Sequence, residues 1–157
     1  MTLQKACRIF SMIAIPLLLL GCKNAEKNNT KLLIEEVSDA SEKNCINTII
    51  NTDATLGKIR NEAPRLLSLS EAIDNYIFGI EAMDFKNCPG AFEAAFLDHK
   101  EAWAAIKEVT DKYPQLRGEM HDLFDQLEKT ENGERFKELL ADIWSTWEKV
   151  ERAMSQF

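Results

Sequence analysis

The side chains able to do chemistry in this chain are few: two histidines, four cysteines and three tryptophans, set among 26 carboxylates. His99 falls between Phe96 and Trp103 at helical spacing, on an apolar face. A histidine so placed is either an axial or metal ligand inside a helical bundle, with Met120 or Met83 as second ligand, or a neutral core imidazole donating to a carbonyl or carboxylate. The core reading is the commoner one, because one buried histidine per domain is ordinary and methionine in a bundle is usually filler. His121 lies about 80° beyond the stripe set by Leu116, Met120 and Leu123, so it should be exposed. Its i−4 and i+4 neighbours, Arg117 and Asp125, make a solvated helix pair rather than a metal site. Trp103 and Trp147 fall on core stripes. Trp144 is displaced about 60° from Trp147 around the same helix. At that edge a tryptophan either covers a neighbouring helix or anchors a partner.

Catalytic constellations are missing from the sequence. It contains no G-x-S-x-G, H-E-x-x-H, P-loop or C-x-x-C-H segment. Acidic residues are scattered among lysines, as in Glu128-Lys129 and Glu134-Arg135, rather than paired for acid–base work. The expectation is a non-enzyme with no required cofactor, no metal and no catalytic residue. A formal charge of −7 argues against a nucleic-acid binder, which normally presents a basic face.

The first 21 residues read as an export signal. Lys5 and Arg8 supply a positive start, and Ile9–Leu20 follows as a mostly apolar run of 12 positions. A spanning helix would need roughly 20. The run ends Leu19-Leu20-Gly21-Cys22, which resembles the lipobox of bacterial lipoproteins. That resemblance implies cleavage after Gly21, a diacylglyceryl group on the Cys22 sulfur, and a further acyl chain such as palmitate on its amine. Two or more chains suit a durable anchor, because one short chain holds a protein only marginally. With Lys23 rather than aspartate after the lipid cysteine, the resemblance implies a periplasm-facing module on the outer membrane of a Gram-negative cell; a Gram-positive source would leave no such choice. Without residues 1–21 the chain has 136 residues, 17 basic against 26 acidic, and a charge of −9. The lipid on Cys22, not a basic surface, would then hold it to the membrane.

Cys7 leaves with the signal and Cys22 is lipidated on this reading, so Cys45 and Cys88 remain as a pair 43 positions apart. In an exported domain an even pair reads as one disulfide, and the competing reading is two buried thiols. The rest of the chain shows helical stripes: Cys45, Ile49, Thr52, Leu56, Ile59 and Ala63; then Leu69, Ile73, Tyr76, Ile80 and Met83; then Phe92, Phe96, His99, Trp103, Ile106 and Thr110. Leu116, Met120, Leu123 and Leu127 follow Pro114. Phe136, Leu140, Ile143, Trp147, Val150 and Met154 follow the Asn132-Gly133 turn. Capping-box spacing marks starts at Asp39 and Ser68, and Pro64 and Pro114 mark boundaries. No stretch alternates like a strand.

The expected organisation is a signal peptide over 1–21, a lipidated cysteine and polar tether with a short helix near Leu32–Val37 over 22–38, and a helical domain over 39–157. That domain should be all-α, an antiparallel bundle of about five helices stapled by Cys45–Cys88. If the helices beginning near Ser41 and Pro89 run parallel, both cysteines sit at one end. The expected function is a non-catalytic envelope lipoprotein that binds a protein partner, in an accessory, immunity or inhibitor role, through a surface such as Trp144. The alternative is a small-ligand, haem or metal binder built around His99 and Met120.

Overall fold

A computed structural model describes the backbone of residues 23–157 and the side chains of residues 36–157. The export signal, the lipobox and Cys22 lie outside the described residues. Two units divide the chain, 1–34 and Glu35–Phe157, and the second carries the core.

The described residues are helical and contain no strand. In order they form α1 (Lys23–Glu62), a 3₁₀ turn (Ala63–Arg65), α2 (Leu69–Glu81), α3 (Gly90–Ala105), α4 (Lys107–Thr110), α5 (Met120–Leu127) and α6 (Gly133–Met154). The bundle is all-α, and Cys45 and Cys88 are joined by a disulfide with Cα atoms 5.2 Å apart. The most extensive pairing is α3 with α6, and α2 packs on α3 and α4. Side chains from α1 complete the core at Cys45, Ile46 and Ile49.

Ser68 caps α2 as a full capping box: its hydroxyl accepts from Glu71 N–H, and Glu71 Oε2 accepts from Ser68 N–H at 2.8 Å. The α3 stripe is buried as the spacing predicts, with Phe92, Phe96, Ile106 and Thr110 at 2% exposure or less. Thr110 shares a 2.7 Å hydrogen bond with Ser70, so two buried hydroxyls satisfy each other between α2 and α4. On α6 the buried line runs through Phe136, Leu139, Ile143 and Val150, and Leu140 takes a flanking place.

Two helix starts differ from the sequence expectation. Asp39 is no helix start: α1 runs through it from Lys23, taking in the segment read as a tether and the short helix at Leu32–Val37. Between Lys23 and Leu56 there is neither proline nor glycine to stop it. Cys45 therefore lies within a long helix while Cys88 precedes the start of α3, and the disulfide forms without two adjacent helix starts. The helix expected from Pro114 begins only at Met120. Pro114–Gly118 forms turns instead, with Arg117 Nη1 donating to the Pro114 and Leu116 carbonyls and Gly118 N–H donating to the Pro64 carbonyl.

Gly133 opens α6 in a buried, confined position. A Cβ there would stand 2.2 Å from the Glu128 carbonyl oxygen and 2.8 Å from its carbon, both backbone atoms. Gly133→Ala must shift one helix terminus against another and should cost about 2 kcal/mol. Gly79→Ala would meet only the Leu56 side chain, which can rotate away. Thermal melts should therefore rank Gly133→Ala well below Gly79→Ala; equal midpoints would contradict this reading of the α5–α6 junction.

Candidate functional site

Where α1, α2, α3 and α6 meet, eight residues line a cleft of about 150 Å³: Asp53 and Arg60, Tyr76, His99 and Trp103, and Ile143, Trp144 and Trp147. Asp53, Leu56 and Arg60 follow Ile46 and Ile49 at alternating three- and four-residue steps, so one face of α1 turns from apolar to charged along its length. Ile59, expected on that face, is 56% exposed, and Arg60 takes the inward place beside it.

Arg60 sits in an aromatic corner. Its guanidinium carbon is 4.3 Å from the Tyr76 ring centre and 3.8 Å from that of Trp103, while the two rings meet edge-on at 72°. Stacking a cation on two aromatic faces is worth about 1–2 kcal/mol when the group is partly desolvated. Nε and Nη2 donate to the Asn61 Oδ1 atom. Burial pulls the Arg60 pKa down, and the neighbouring Tyr76 and Asp53 pull it back up. Across the cleft the Tyr76 hydroxyl donates to Asp53 Oδ1 at 2.6 Å. Burial raises the Asp53 pKa, opposed by that hydrogen bond and by Arg60. Tyr76, buried beside a carboxylate, is held protonated by desolvation first and Asp53 second.

His99 forms the floor, 4% exposed, with both ring nitrogens engaged. Trp103 Nε1–H lies 3.1 Å from His99 Nε2, and an indole can only donate, so Nε2 carries the lone pair. Nδ1 then carries the proton and donates to Thr146 Oγ1 at 3.0 Å. The Thr146 hydroxyl in turn reaches the Asp142 and Ile143 carbonyls, both at 2.9 Å. This relay fixes one tautomer and ties α3 to α6. Burial first, and the Arg60 charge second, lower the His99 pKa to about 4, so the imidazole is neutral across the physiological range. Beside the Thr146 hydroxyl, the Ile143 backbone also bonds the ring and pulls its pKa back up, in line with the expected carbonyl partner.

The other expected site residues separate from this one. Met120 is buried in the core but does not line the cleft, and Met83 packs at the core's edge. His121 is exposed as expected, but it pairs with Glu119 Oε1 at 2.8 Å rather than with Arg117 or Asp125, because α5 starts at Met120 with Glu119 as its cap. Among the described residues no three His, Cys, Asp or Glu side chains are grouped as metal ligands. Trp147 packs against the core and donates to Glu151 Oε1 at 3.0 Å. Trp144 lines the cleft and is 60% exposed. A wider, open depression of about 500 Å³ runs along Thr48, Asn51, Thr52, Thr55 and Leu56. Its threonine hydroxyls already donate to carbonyls one turn back in their own helix.

Asp53 and Arg60 are the part of the site that sequence reading missed. Their signal was present in their seven-residue spacing, in register with Ile46, Ile49 and Leu56, but charged residues on a helix are ordinarily assigned to its outer face.

Fold and site together define a disulfide-stapled helical bundle with one aromatic-walled cleft holding an arginine and an aspartate. Comparison with protein-family models, with curated proteins and with solved structures finds no match to this chain.

Proposed function

We propose that this chain is a non-catalytic, lipid-tethered module of the bacterial cell envelope that binds a protein partner through the Trp144 cleft. The observation that carries the binding reading is the composition of the cleft. Tryptophan, tyrosine and arginine are the residues that dominate binding energy at protein interfaces, and this site gathers five of them, with Trp144 largely in solvent. A tryptophan left 60% exposed beside two further tryptophans gives up favourable burial that a partner would recover. His99 contributes as a wall, because both its nitrogens are committed to Trp103 and Thr146.

The tether rests on the lipobox resemblance at Leu19–Cys22. No helix among the described residues is long and apolar enough to cross a membrane. An acyl anchor at Cys22 would place the domain at the outer membrane facing the periplasm, and its acidity would favour a basic partner surface around the cleft.

Chemical crosslinking of the full-length protein in cells tests the reading. A reproducible protein adduct is expected, with its yield falling several-fold in Trp144→Ala. Cys22→Ala should abolish acyl labelling and membrane retention. Absence of any reproducible adduct would defeat the partner reading, and lipid-free Cys22 in a bacterial host would defeat the tether.

A further inference from the structure

We infer that the cleft receives the C-terminal residue of the partner chain, its carboxylate on Arg60 and its apolar side chain against Trp144, Trp147 and Ile143. This rests on the partner-binding reading and specifies the chemistry that the partner must present.

In a chain with 26 acidic residues, the exposed Arg65, Arg135 and Arg152 each find a carboxylate, Glu62, Glu108 with Glu138, and Glu148, while the exposed Arg117 donates to the Pro114 and Leu116 carbonyls. Arg60 is half-buried, yet no side chain among the described residues makes a salt bridge with it. Its Nε and Nη2 donate to Asn61 Oδ1, a neutral acceptor, and its other hydrogen-bonding neighbour is the Tyr76 hydroxyl, also neutral. Among the described residues lining the cleft the one carboxylate, Asp53, accepts from Tyr76 and acts on Arg60 through its charge without a direct ion pair. The aromatic stack holds the guanidinium in place and supplies no hydrogen-bond acceptor with a full negative charge. A planar guanidinium fixed in this way is organised in advance for a carboxylate.

The walls decide what accompanies that carboxylate. Trp144 and Trp147 offer apolar surface beside Arg60, and Ile143, itself buried, completes the lining. About 150 Å³ accommodates one side chain and is well below the several hundred Å³ of usual cofactor sites. An internal aspartate or glutamate would bring the charge without an apolar body. A chain terminus brings both on one residue, and carboxylate capture is an established way of recognising peptide ends.

The test is a tryptophan-fluorescence titration of the purified full-length protein with N-acetyl-phenylalanine and with its C-terminal amide. Saturable binding of the acid is expected in the millimolar range, with the amide at least tenfold weaker. Arg60→Gln should remove the preference for the acid. Trp144→Ala, an exposed position whose loss leaves the core intact, should weaken the acid several-fold, which keeps the result readable if the Arg60 variant folds poorly. Equal binding of acid and amide, no saturable change with the acid, or wild-type binding by Trp144→Ala would each overturn the inference. Phenylacetate binding as tightly as the acetylated residue would also overturn it, in favour of a free small acid. A partner captured in cells alongside any of these results would leave the partner reading standing and remove only the terminal-carboxylate assignment.

Discussion

Replacing both Cys45 and Cys88 by serine should lower the unfolding free energy by about 3–4 kcal/mol and the melting midpoint by roughly 10 °C or more. The bridge closes a loop of 43 residues that contains the end of α1, the 3₁₀ turn and all of α2. In the unfolded chain that closure removes conformational freedom, and the cost grows only slowly with loop length. In the folded chain the bridge fixes α1 to the segment entering α3, beside the core residues Ile46, Ile49 and Phe92. The double variant is preferred to either single one, which would leave a lone thiol. Chemical denaturation of wild-type and variant protein gives the difference directly. A loss under 1 kcal/mol would mean that side-chain packing of α1 holds the fold without the bridge.

A second large effect should appear on acidification. Above pH 6.5 His99 is neutral in both the folded and the unfolded chain, so its full contribution is present. As pH falls from about 6.5 toward 4, the unfolded chain takes up a proton on this residue and the folded chain does not, because burial and Arg60 hold its pKa near 4. Stability is therefore lost through that window, by about 3 kcal/mol when complete. Below it the two states are equally protonated at His99 and the loss stops growing. Asp53 acts in the opposite sense: its pKa is raised in the fold, so stability is favoured as pH falls through its range. Comparing denaturation at pH 7.5 and 4.5 in wild-type and His99→Gln isolates the histidine. The wild-type protein should lose more stability than the variant across this interval. Equal losses would show that His99 protonates without penalty and that the Trp103–His99–Thr146 relay is not intact in solution.

The helix faces that could be read in the sequence were those without carboxylate, lysine or arginine side chains, His99 and Thr110 included. Phe92, Phe96, His99, Trp103 and Ile106 recur at three and four, and the burial of α3 follows them. Tyr76 and Ile73 do the same for α2. On α1 the expected stripe of Cys45, Ile49, Thr52, Leu56, Ile59 and Ala63 passes one residue from Arg60. Apolarity alone favours Ile59, yet tertiary structure favours Arg60, because Tyr76 and Trp103 arrive from α2 and α3 to stack on it. Within α1 only the register of Asp53 and Arg60 with Ile46, Ile49 and Leu56 points to that corner. His99 was placed correctly in the core, but its Thr146 partner lies 47 residues away and becomes evident only when α3 and α6 pack. The late start of α5 has a similar cause: the Gly118 amide bonds to the Pro64 carbonyl, a contact distant in sequence.

These contacts turn Trp144 from an edge residue into the open rim of a cleft, and the proposed function depends on that cleft more than on any other feature. Site-specific photocrosslinking in living cells tests it most directly, with the crosslinker placed at position 144 and, as control, at the exposed position 122 on α5. A discrete protein adduct is expected from position 144 and none from position 122. No adduct from 144, or the same adducts from both positions, would contradict it.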